Sequence, residues 1–123
     1  MNYKLSRECY KRVIWTIKDY PRRKAQYEAI IESSTPPPDG QPRGTQTGNP
    51  TERKALRAAE IGYEINAIEG ALEKIPEEYR KGILNFIIYR VPFPTDASEM
   101  TYKRWKKRYI YFVAVKLGIV EVE

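Results

Sequence analysis

The stretch "PEEYRKGILNFIIYRVPFPTDASEMTYKRWKKRYIYFVAVKLG", Pro76 to Gly118, decides the fold. Tyr79, Ile83, Phe86 and Ile87 recur at helical spacing behind Pro76, a residue that ends one helix and suits the first turn of the next. Glu77 and Glu78 complement the positive N-terminal end of that helix, and Arg90 its negative C-terminal end. "VPFP" breaks the chain, because two prolines at alternate positions remove donors and fix backbone angles. A second helix starts at Asp96 or Ser98, where "DASE" offers Asp96 with Glu99 three residues on, and it ends at Gly118. Tyr102, Trp105, Tyr109, Phe112 and Leu117 fall near one face of it, with Val113 close by. The two apolar stripes can dock on each other.

The second helix is also strongly basic. Lys103, Arg104, Lys106, Lys107 and Arg108 crowd into six residues, and no acid occurs from Thr101 to Lys116. Docking the apolar stripe turns Lys103, Arg104, Lys107 and Arg108 outward, with Lys106 at the border. Pairs such as Lys103 with Lys107, and Arg104 with Arg108, repel at i,i+4 and destabilise an isolated helix. An anionic partner relieves that repulsion, whereas a merely solvated face normally mixes signs. Helix, proline-rich turn and basic helix match a helix-turn-helix, whose second helix enters the major groove of DNA. Arg or Lys can there pair with guanine while other cations neutralise phosphates. Trp105 shares the apolar stripe, which assigns it to the core rather than to stacking on bases.

Upstream, Ser6 is a candidate N-cap for a helix whose apolar residues are Cys9, Tyr10, Val13, Ile14, Ile17 and Tyr20. Pro21 interrupts it and opens a second short helix with Tyr27, Ile30 and Ile31 on its apolar side. Residues Ser33 to Asn49 hold four prolines, three glycines and no large apolar side chain, the composition of a flexible tether. "NPTE" then starts the longest helix, with Asn49 capping, Pro50 in the first turn and Glu52 three positions on. Ala58, Ile61, Ile65, Ile68, Leu72 and Ile75 step by three and four residues along it, and Pro76 ends it. That stripe reads either as a core-facing side or as an oligomer seam (Ala58, Ile61, Ile65, Ile68, Leu72) joining a homodimer. The expected fold is all-α, with no strand pair. It comprises basic N-terminal helices (1–32), a linker (33–49), and a long helix with a helix-turn-helix-like pair (50–123).

Charge is segregated along the 123 residues. Residues 1–24 carry eight cations and two acids, residues 25–75 five and eight, and residues 99–123 six and three, within a formal total of +6. The N-terminal cations Lys4, Arg7, Lys11, Lys18, Arg22 and Arg23 are candidates for secondary phosphate contacts. Equally, this basic segment can meet the acidic middle segment.

Other classes find no support in the sequence. There is no histidine and one cysteine, Cys9, which excludes an internal disulfide and a cysteine–histidine metal site and suits a reducing cytoplasm. No apolar run is long enough to span a bilayer. General acid–base and nucleophilic chemistry lack their usual groups, and there is no glycine-rich phosphate loop. The reading is a non-enzyme without catalytic residues, cofactor, metal or small-molecule substrate.

The residues from "IPEEYRKGILNFIIYRVPFPTDASEMTYKRWKKRYIYFVAVKLGIV", with "YPRRKAQYEAII" and "NPTERKAL" upstream, resemble RinA-type phage transcriptional activators from about Trp15 to Val120. More loosely, "LEKIPEEYRKGIL" with "SEMTYKRW" is similar to region 4 of bacterial sigma factors, a promoter-reading helix-turn-helix. The resemblance implies a sequence-specific DNA-binding activator of bacteriophage late genes. It would act on double-stranded DNA in the cytoplasm of a bacterial host, beside host RNA polymerase. Carried onto this chain, the recognition positions are Ser98, Glu99, Thr101, Tyr102, Lys103, Arg104, Lys106 and Lys107, to which the charge pattern adds Arg108. The connection between the paired helices is longer than in a minimal helix-turn-helix, which leaves that register open by about one turn. A small terminase-like packaging oligomer and an RNA-polymerase-binding adaptor are the competing functions.

Overall fold

The computed structural model describes residues 3–33 and 50–120. They form five helices and no strand: α1 Arg7–Lys18, α2 Tyr20–Ser33, α3 Pro50–Leu72, α4 Glu77–Tyr89 and α5 Glu99–Lys116. The expected tether and the Asn49 cap lie outside the described residues.

The local chemistry of each end explains the boundaries. The Ser6 hydroxyl accepts from the Cys9 amide at 3.2 Å and caps α1, satisfying one donor the first turn leaves over. α1 stops at Asp19, two residues before the proline that was expected to break it. The Asp19 amide still closes the last turn of α1 onto Trp15, while its carbonyl accepts from Arg23 and opens α2. α3 ends at Leu72 rather than Ile75, because residues 73–75 tighten to bonds with the carbonyls three back. Arg80 Nε donates to the Ile75 carbonyl at 2.8 Å and satisfies one of the loose acceptors there. α4 closes with Arg90 in the left-handed region at φ 57°, where the Arg90 amide reaches Phe86 and the Val91 amide reaches Asn85.

α5 is the centre of the molecule, packing against α1, α3 and α4. Its Tyr102, Tyr109, Ile110, Val113 and Ala114 join Val13 and Ile17 of α1, Ile68 and Ala71 of α3, and Ile83 and Ile87 of α4 in one core. Burying each of the larger apolar side chains stabilises the fold by about 1.5–3 kcal/mol. The N-terminal and C-terminal helical segments therefore share a single core.

α2 runs antiparallel to α3. Tyr20 and Lys24 meet Glu69, Arg23 meets Glu64, and Tyr27 lies against Gly62. This pairing corrects the reading of the α3 stripe as an oligomer seam. Ile61, Ile65 and Ile68 are buried inside the chain, with Ala58 and Leu72 partly covered. With α2 along α3 and α5 across it, that stripe is core and is not presented to a second copy.

Candidate nucleic-acid interface

The connection between α4 and α5 is an aromatic clasp. Phe93 stacks between Phe86, at 4.2 Å between ring centroids, and Tyr102, at 5.1 Å. Tyr79 meets Tyr102 edge-on at 5.2 Å and lies over Trp105. Ser98, not Asp96, caps α5: its hydroxyl accepts from the Thr101 amide at 3.1 Å and pairs with the Thr101 hydroxyl at 2.9 Å. Asp96 instead accepts the Tyr102 phenol at 2.7 Å.

This geometry sorts the expected recognition residues. Tyr102 is fully buried, so its place among the DNA contacts is corrected; its ring completes the clasp and its hydroxyl is taken by Asp96. Ser98 and Thr101 are engaged with each other at the helix start. Glu99 is exposed and pairs with Lys103 at 3.3 Å. Arg108 is also corrected as an outward cation. Its guanidinium is half-buried between the Trp105 ring at 4.9 Å and the Tyr3 ring at 5.2 Å, two cation–π contacts. Lys106 is half-buried over the Phe86 ring at 4.9 Å; burial, and then Lys103, hold its pKa below the ordinary lysine value. Arg104 and Lys107 stay exposed and meet no acid among the described residues.

Tyr3 adds what the sequence did not signal. It meets Tyr111 and Phe112 edge-on at 5.5 and 5.7 Å, and with Arg108 it fastens the segment ahead of α1 onto α5. Lys4 thereby joins Lys103, Lys106 and Lys107 around one cavity of about 360 Å³. The two basic ends of the sequence are brought together.

The other N-terminal cations divide. Lys18 lines a second cavity and lies 5.1 Å over the exposed Trp15. Arg7 and Lys11 are exposed on α1. Arg22 forks onto the Asp19 carboxylate through two bonds of 2.7 Å, which holds that carboxyl below its usual pKa, with Arg23 adding to the effect. Arg23 and Lys24 reach Glu64 and Glu69 of α3. Arg22 and Arg23 are thus engaged with acids, and the acidic middle segment holds Arg23 and Lys24 of α2.

Among the described residues no cluster of three or more metal-ligating side chains occurs, and no helix is long and apolar enough to cross a membrane. Comparison of the chain with family models, with curated proteins and with solved structures finds no match.

Proposed function

We propose that this chain is a phage-encoded, sequence-specific DNA-binding activator of late genes that works beside host RNA polymerase. The observation that carries the reading is the exposed row Lys103, Arg104 and Lys107 on α5, of which Arg104 and Lys107 meet no acid among the described residues. Six cations from Thr101 to Lys116 with no acid among them provide a field that attracts a polyanion. The resemblance to RinA-type activators and to sigma region 4 names double-stranded DNA as that polyanion. Lys103, Arg104 and Lys107 are the outward groups of α5 that would meet it, and Glu99 tempers Lys103. A packaging ring built on the α3 stripe is disfavoured, because α2 and α5 already cover that stripe.

The test is binding to fragments of the genome that encodes the chain, by fluorescence anisotropy against salt with nonspecific competitor. One fragment should be retained tightly, with a salt slope corresponding to roughly four to eight phosphate contacts. Arg104→Glu with Lys107→Glu should abolish that binding while helicity by circular dichroism is kept. Unchanged affinity in this double variant would sink the reading, and weak binding equal on every fragment would favour an adaptor that touches polymerase alone.

A further inference from the structure

Two cavities meet on the α1–α5 side of the molecule. The first, of about 360 Å³, lies between the segment ahead of α1 and α5. The second, of about 340 Å³, lies between α1, the end of α4 and α5. Tyr10 and Lys106 belong to the walls of both, so the two adjoin, and together they are called the furrow. Its cations are Lys4, Lys103 and Lys107 in the first half, Lys106 in both, and Lys18 and Arg90 in the second; no acid lines either half. Its remaining walls are apolar or aromatic, with Leu5 and Ile110 in one half and Ile14, Phe86 and Ile87 in the other. Tyr10 stands at the junction, 41% exposed.

Arg90 is a second and independent oddity. It is the one non-glycine residue with positive φ among the described residues, in a helix-closing position that glycine fills most easily. A side chain there is strained, and such strain is a pointer to function when the side chain has a task. The task available to Arg90 is to supply a cation at the far end of the furrow.

We propose that this furrow binds an unpaired nucleic-acid strand beside the duplex that Arg104 and the outer face of α5 meet, with Lys103 and Lys107 common to both and Tyr10, Lys18 and Arg90 belonging to the strand alone. The choice of nucleic acid as the polyanion rests on the function proposed above. A duplex keeps its base faces stacked and offers only edges and phosphates, leaving the apolar floor and the Tyr10 ring without partners. A free nucleotide would occupy one half and leave the cations of the other unpaired. A single strand supplies a phosphate and an aromatic face at each step, and matches walls that combine cations with the exposed Tyr10 ring. The location suits an activator whose promoter duplex is opened beside it.

The test uses the full chain and two probes, an oligothymidylate of about 20 nucleotides and its duplex, followed by anisotropy. Tyr10→Leu, and Lys18→Gln combined with Arg90→Gln, should each weaken the strand about tenfold or more, while duplex affinity changes by less than about twofold. Arg104→Glu should do the reverse. Equal loss of strand and duplex in the furrow variants would overturn the proposal, since the furrow would then be part of the duplex surface. Displacement of the strand by polyglutamate at equal charge would overturn it too, because the bases would be contributing nothing. If the strand binds with this mutational pattern and no duplex binds at all, the furrow stands and the activator reading falls.

Discussion

Tyr102 donates its phenol to Asp96 at 2.7 Å while the rest of the side chain is buried between Tyr79 and Phe93. The residue sits among the recognition positions of the sequence, and its geometry makes it the closure of the clasp between α4 and α5. Tyr102→Phe keeps the ring and removes the bond, so it should cost about 1 kcal/mol in denaturant unfolding. DNA affinity, measured at a temperature where the variant is folded, should not change. A loss of affinity with unchanged stability would return Tyr102 to the DNA-contacting surface.

The clasp also explains a glycine. A Cβ on Gly82 would stand 2.8 Å from Pro94 Cδ and 2.8 Å from Tyr102 Cε1, and neither ring is free to yield. Alanine is the better helix former by about 0.8–1 kcal/mol, yet the overpacking should exceed this by forcing the rings apart, at about 1–3 kcal/mol. Gly82→Ala should therefore lower the denaturant midpoint. Gly70→Ala in α3 is the control, since its Cβ would meet the flexible end of Lys116 at 3.2 Å. That variant should match or exceed the parent in stability, and the opposite order would show that helix propensity alone governs both sites.

The two arginine pairs of α2 should rank against their bond lengths. Arg22 makes the shorter bonds to Asp19, but its side chain is 64% exposed; such pairs contribute about 0–1 kcal/mol. Arg23 reaches Glu64 at a longer 3.3 Å with both side chains only 28% exposed, and it ties α2 to α3. Losing it leaves Glu64 partly buried without its cation, at about 1–3 kcal/mol. Arg23→Ala should thus destabilise more than Arg22→Ala in urea unfolding, and the reverse order would make the α2–α3 pairing an apolar matter.

How much of this was legible depends on what periodicity can carry. The boundaries of α4 and α5 follow from Pro76, "VPFP" and Ser98, local chemistry that sequence states directly. The burial of Val13, Ile17, Ile83, Ile87 and Tyr109 follows from their spacing. Spacing says that a face is covered and not by what, so Ile61, Ile65 and Ile68 suit a core face and also allow a seam; α2 lying along α3 decides for the core. Arg108 looked outward because its neighbours are cations, and Trp105, with Tyr3 from more than a hundred residues away, holds it against the core. Tyr10, Ile14 and Lys18 step by four along α1 and line the furrow together, a signal present in the sequence but absorbed into the apolar stripe. The left-handed Arg90 had no signal, since glycine is what such a position announces.

The tyrosines provide a global test of the packing. Tyr102 is pushed up to about 12, first by burial and then by its bond to Asp96, and burial pushes Tyr109 up as well. Tyr20 is raised for the same first reason, with Glu69 adding to it. In each case the folded pKa lies above the unfolded value of about 10, so the native state holds the proton longer. The stability tied to these groups is complete below about pH 10 and is lost as pH climbs from there through the folded values, near 12 for Tyr102. Tyrosinate absorbance should accordingly rise in two phases, the second of them from the buried rings together with loss of the helical circular dichroism signal. Tyr102→Phe should remove one tyrosine from the second phase and none from the first. A single phase near pH 10 with helicity intact would mean that Tyr102 and Tyr109 are open to solvent and that the core around α5 is wrongly assigned.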